Sequence, residues 1–518
     1  MYKKGKGNKY MKYQNPIIEG FYPDPSVCRV GEEYYLITSS FEYFPGIPIF
    51  NSKDLVNWEQ IGHCLTNDKQ LPIQNALNSY GIYAPTIRFH NGRFYVIATN
   101  VTNYYNFIVW AENPTGPWSD PVKLEEWDGI DPSLFFDDDG KVYIMGNSYK
   151  KKAETLGCYM AELDINTGKL KTERRLVCTG SGGKAPEAPH LYKKDGKYYL
   201  ILAEGGTEYG HMVTVFRSDN PYGPFESYEN NPVLTHRSRK HTFQGIGHMD
   251  LVEDHQGNWW GVCLGMRPKG SHAYFHHLGR ETFLVPVVWT QDGWIEVGTD
   301  KMVAETYENP LMTEEQKRPG DFEDDFSTEC RPKEWVYLRN PERGNYALDK
   351  SGKGFWLTGN KESLSSGGAC TFIGKRQCHF ECDTTTDFYV DFKNENDEAG
   401  LTAYMSDRYY YAICVKRKNN ENYIVLRKKI ADFDIEETAV LLEDDHVVLG
   451  IEADEKMYKF YFKDSKNKKW FIGKAECRFL ASEISATFTG TILGIYVTAN
   501  GNEETPKICV NNFKYGTL

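Results

Sequence analysis

An all-β chain is predicted: a five-bladed β-propeller over residues 14–300, then a jelly-roll-like β-sandwich over residues 322–518. Three observations carry this. A polar-Pro-apolar step, then Gly, then a strand of paired aromatics recurs along the first 300 residues. The glycines of that signature, Gly31, Gly92, Gly140, Gly196 and Gly257, are 61, 48, 56 and 61 residues apart. That is room for a four-stranded blade with its loops, and repeats of this kind mark propellers and similar arrays. Beyond about residue 300 the signature stops, and alternating stretches such as Tyr409–Lys416 and Met457–Lys463 replace it, as half-buried sandwich strands require.

The copies run in order. Asp24-Pro25-Ser26-Val27 precedes Gly31, Ala84-Pro85-Thr86-Ile87 precedes Gly92, and Asp131-Pro132-Ser133-Leu134 precedes Gly140. Glu187-Ala188-Pro189-His190 precedes Gly196, and His248-Met249-Asp250-Leu251, without the proline, precedes Gly257. A second echo, Ala111–Trp118 and Arg217–Phe225, places Pro and Gly where a tight turn joins strands. Residues 1–13 are basic and read as a flexible extension. Residues 301–321, charged and unpatterned, read as a linker.

The net charge of −12 argues against nucleic acid or an anionic membrane as partner, since both select basic surfaces. No apolar run has the length of a membrane span or the form of a secretory leader. The 12 cysteines are scattered without a CxxC pair. They read as buried reduced thiols, which points to the cytoplasm. Aromatic residues make up 14% of the chain. Most are strand formers, but flat faces with polar edges also suit sugars.

A propeller brings the start of every inner strand to one end of its axis. Asp24, Asp131 and Glu187 would therefore meet there, with His248 and Asp250 near them. Asp-Pro opens many turns, so either aspartate alone would read as structural. Three acids in phase with an independent repeat read as chemistry. Crowded carboxylates repel, so at least one should hold its proton, and a protonated acid facing a carboxylate can hydrolyse glycosides.

Asn15–Ser26, Gly129–Phe136, Pro186–Tyr192, Ala203–Thr207 and Leu278–Thr282 together resemble glycoside hydrolase family 43 over essentially the whole chain. The resemblance implies an exo-acting, inverting enzyme releasing terminal β-D-xylose or α-L-arabinofuranose from xylan or arabinoxylan oligosaccharides. Stretches such as Ile82–Ile87 and His211–Val215 are similar to the arabinofuranosidase branch. By the same resemblance Asp24 is the general base, Glu187 the general acid, and Asp131 the residue that holds Glu187 and raises its proton affinity. Arg280 would hold substrate hydroxyls, Phe41 and Tyr83 would wall the terminal-sugar site, and Phe488 of the sandwich would close its rim. His248 is similar to a histidine that meets a water or a calcium ion. No catalytic metal or cofactor is expected, a structural calcium is admitted, and a homo-oligomer is left open. One departure stands out: Ala188 occupies a position where many members carry Gly. The alternatives are a non-catalytic carbohydrate-binding propeller and an endo-arabinanase with an open cleft.

Overall fold

The computed structural model describes residues 10–148, 155–270, 273–350 and 354–518. Five antiparallel blades follow the sequence phase, four of them four-stranded and the fourth in chain order joined by a fifth strand, Leu234–Thr235. Their inner strands are Ser26–Val30, Ile82–His90, Ser133–Phe136, Glu187–Lys194 and Gln244–Glu253. The signature glycines turn each inner strand into the second. All five are left-handed, with φ between +65° and +85°, a region that costs glycine nothing. In Asn91-Gly92 and Asp195-Gly196 both residues are left-handed, the geometry of the two-residue hairpin turn that matches strand twist.

The ring is tied at its axis by Asp250, which is 0% exposed. Its carboxylate accepts the Ser26 hydroxyl at 2.6 Å and both Arg88 Nη groups at 2.8 and 3.0 Å. The Tyr192 hydroxyl donates to it at 2.5 Å. One side chain thus links blades one, two, four and five. It lies one layer below the mouth where the sequence reading set it near the acids.

The N-terminal expectation needs correcting. Residues 1–9 lie outside the described residues, but Met11–Gln14 is a strand, paired antiparallel with Thr306–Asn309. The segment expected as an unpatterned linker therefore supplies a strand, and Arg318 in it pairs with Glu19 at 2.7 Å. Asn15 then clamps blade five by exchanging hydrogen bonds with the Leu284 main chain. No local signal marks such a pairing, because its partner is nearly 300 residues away.

The sandwich stacks a six-stranded sheet on an eight-stranded one. In Cys382–Asp391 the inward residues Cys382, Thr384, Thr386, Phe388 and Val390 alternate with more exposed ones, as a one-sided strand must. Phe388, Leu401, Ile413, Leu449 and Phe513 meet in the core between the sheets. The domains are knitted together rather than strung: Tyr43–Phe44 of blade one pairs with Tyr337–Leu338. Phe21, Phe41 and Tyr43 share a buried cluster with Val336, Phe372, Tyr404 and Tyr496. Eleven of the 12 cysteines are buried and all 12 are unpaired; Cys330 is exposed. Among the described residues no helix is long and apolar enough to cross a membrane.

Candidate active site

The four residues standing before the strand-opening step, Asp24, Asp131, Ala188 and His248, share one conformation: φ is +55°, +53°, +50° and +53°. A residue before proline normally prefers extended backbone, and left-handed geometry costs a non-glycine about 1–2 kcal/mol. Repeating that strain at equivalent positions kinks the chain at four of the five inner strands. Register shifts at Glu187/His190 and Gly247/Asp250 mark the same kinks. Bulges of this kind re-aim side chains.

The result is a pocket of about 510 Å³ at one end of the axis. It is lined by all eight of the predicted side chains: Asp24, Phe41, Tyr83, Asp131, Glu187, His248, Arg280 and Phe488. Asp24 is 5% exposed. Its Oδ1 accepts Arg280 Nη1 at 3.0 Å, its Oδ2 accepts the Ser39 hydroxyl at 2.5 Å, and His248 Nδ1 stands 3.7 Å away. Burial opposes its charge, but Arg280, His248 and Ser39 together hold its carboxyl below the usual range.

The other two acids go the opposite way. Burial, then the charge of Asp24, pushes Glu187 up to about 7, although Arg280 opposes this. Burial and the charges of Glu187 and Asp24 push Asp131 well above a normal aspartate, while the Ala188 amide donates to it. The two behave as one coupled site, keeping a proton where Asp24 keeps none.

Three rings form one wall. Phe41 lies 5.1 Å from Tyr83 between ring centroids, and Phe488 lies 6.3 Å from each. Arg280 is fixed by Asp24, by the Thr207 hydroxyl at 2.8 Å and by the Phe488 carbonyl at 3.2 Å. Tyr80, Tyr104, Asn106, Asp128 and Thr207 also line the pocket and were missed. Only Thr207 carried a signal, as the end of the Ala203–Thr207 motif. Within that motif Glu204, 0% exposed, accepts the Ser181 and Gly183 amides at 2.8 Å and so shapes the approach to Glu187.

The residues around His248 do not fit a calcium ion. Asp24 is already paired with Arg280, and Asp250 is chelated by Arg88. A cation there would face two guanidinium groups with no free carboxylate. Among the described residues no group of three or more His, Cys, Asp or Glu side chains could hold a metal.

A family model described as glycosyl hydrolases family 43 matches residues 13–295. The chain belongs to glycosyl hydrolase family 43. A second model, the beta xylosidase C-terminal concanavalin A-like domain, matches residues 323–516. The family 43 chain is 39% identical over 500 residues to the non-reducing end α-L-arabinofuranosidase BoGH43B of Bacteroides ovatus, across 95% of this chain and 92% of that one. It is 36% identical over 511 residues to a xylosidase/arabinosidase of Butyrivibrio fibrisolvens, across 94% and 96%. The solved structure of Bacteroides ovatus xyloglucan PUL GH43B is similar with a TM-score of 0.92 at 38% identity, covering 98% of this chain and 100% of that chain. The protein is therefore a glycosidase.

The departure at Ala188 now has a physical meaning: a methyl group sits on a left-handed backbone at φ +50°. Ala188→Gly should stabilise the protein by about 0.5–1 kcal/mol by removing that strain. Urea unfolding measures it, and a loss of stability would show that the methyl packs usefully.

Proposed function

We propose that this protein is an exo-acting inverting glycosidase releasing terminal α-L-arabinofuranose and β-D-xylose from xylan- or arabinoxylan-derived oligosaccharides. The observation that carries the reading is the unequal protonation of acids around one pocket. Asp24 stays ionised while the Asp131–Glu187 pair keeps a proton towards neutral pH. Asp24 takes a proton from water as its oxygen attacks the anomeric carbon. The glycosidic C–O bond breaks, and Glu187 passes its proton to the departing oxygen. Asp131, accepting the Ala188 amide beside Glu187, holds the acid's backbone, while burial and the charge of Asp24 favour the acid's protonated form.

The Phe41–Tyr83–Phe488 wall supports exo action, because the sandwich adds a ring to the wall of the propeller pocket. An endo-arabinanase needs a cleft open at both ends. The two enzyme relatives named above support pentose as the released sugar, and neither acid needs a metal or cofactor to move its proton. The cytoplasm as its place of action is supported by the buried, unpaired thiols.

Turnover of 4-nitrophenyl α-L-arabinofuranoside and β-D-xyloside is the direct test, with proton NMR following the anomer first released. Inverted product is expected. A retained anomer would overturn the mechanism. Failure to cleave both pentosides and xylobiose, with sugar binding intact, would leave the non-catalytic propeller in its place.

A further inference from the structure

The pocket rim supplied by the sandwich is held by a run of hydrogen bonds that begins at a carboxyl group the reaction does not use. Glu42 follows the wall residue Phe41 and is 0% exposed. Its Oε2 accepts the Ser79 amide at 3.0 Å, and its Oε1 is buried with no hydrogen-bond partner. Burial pushes its carboxyl up to about 7. An unsatisfied buried acceptor is costly. Ser79 carries strain of its own, at φ +60°. Costs like these persist where geometry serves a site.

From Ser79 the run crosses between domains. Its hydroxyl oxygen accepts the Phe488 amide at 2.8 Å, and the Phe488 carbonyl accepts Arg280 Nη2 at 3.2 Å. Arg280 Nη1 then reaches Asp24. Arg280 Nε has no partner, so the guanidinium's orientation depends on the Nη1 contacts to Asp24 and Thr207 and on the single Nη2 contact to the Phe488 carbonyl. Beside this run Arg339 of the sandwich donates its amide to the Glu42 carbonyl at 2.8 Å. Neither Glu42 nor Ser79 lines the pocket.

We propose that Glu42 and Ser79 are positioning residues that seat the Phe488 loop on the propeller, so that its carbonyl fixes Arg280 against Asp24. The inference rests on the reading of Asp24 as the base. Its consequence is that the sandwich acts on catalysis through a main-chain carbonyl as well as through the Phe488 ring. Loosening either residue frees Arg280 to turn, and Asp24 then loses the cation that keeps it ionised.

The test uses the full chain carrying Ser79→Gly, Glu42→Ala or Glu42→Gln. Glycine is at ease at φ +60°, so Ser79→Gly deletes the hydroxyl without new strain and decides the matter even if Glu42→Ala fails to fold. Ser79→Gly and Glu42→Ala should lower kcat/KM on a nitrophenyl pentoside by about 10- to 100-fold. They should also move the acidic limb of the kcat/KM profile upward by about one pH unit, since Arg280 no longer holds Asp24 down. Glu42→Gln keeps an oxygen for the Ser79 amide and should recover most of the loss. An acidic limb that stays in place in Ser79→Gly, or a Glu42→Gln as impaired as Glu42→Ala, overturns the proposal. Ordinary turnover by Asp24→Ala would instead sink the reading of the base, and is told apart by that variant alone.

Discussion

Replacing Asp24 by Asn should cut kcat/KM on a pentoside by about 10²–10⁴-fold and weaken the fold as well. The amide keeps the shape of the carboxylate but cannot take a proton from water at any useful pH. The structural cost follows from what Asp24 faces. Its oxygens accept Arg280 and Ser39, and His248 stands nearby. Arg280 is itself 6% exposed, so removing the one carboxylate paired with it strands a buried cation. Breaking a buried pair costs about 3–5 kcal/mol. The pH dependence has a definite sign. Burial works against the Asp24 charge but is outweighed, so the folded protein holds its carboxyl below the ordinary value. Its contribution is thus complete above the unfolded value, about 4, and fades as pH falls through the folded one. Urea unfolding at pH 7 and pH 3 should show the stability gap between wild type and Asp24→Asn closing on acidification. Wild-type turnover in the variant would move the base elsewhere.

The phase of the repeat made the blades and the acid cluster legible because both are local. A glycine one to four residues past an inner strand fixes a turn, and the residues at the start of each step, Asp24, Ala84, Asp131, Glu187 and His248, land at the mouth whatever the loops do. The step two residues on is a different layer. Ser26, Thr86, Ser133, His190 and Asp250 occupy it, and they bond to other blades. Asp250 is set near the three acids by the sequence for want of that distinction. Tyr104, Asp128, Glu42 and Ser79 come from loops with no phase to betray them. The pairing of Met11–Gln14 with Thr306–Asn309 was hidden for another reason: both segments are short and polar, and ring closure alone brings them together.

Glu187→Gln should behave in the opposite sense on stability while abolishing the acid. With Glu187 held up to about 7, the folded protein binds a proton that the unfolded chain releases near 4.5. A raised carboxyl contributes stability that is complete below the unfolded value and is lost as pH climbs through the folded one. The wild type therefore loses stability between about pH 4.5 and 7, and the neutral amide does not. The advantage of Glu187→Gln should grow across that window, approaching about 3 kcal/mol above it. Thermal unfolding at pH 5 and pH 8 reads the difference, and one that does not change with pH would show that Glu187 is not the group holding the proton. Kinetics separate the acid from the base. A sugar alkoxide cannot leave without a proton, so hydrolysis of xylobiose should fall by about 10²–10⁴-fold. A 2,4-dinitrophenyl pentoside departs as a stable anion and should lose far less. In Asp24→Asn both substrates should suffer alike, because attack by water needs its proton removed whichever group leaves. An equal loss on the two substrates in Glu187→Gln would take the acid's role away from Glu187, leaving Asp131, its partner in holding the proton, as the group to test next.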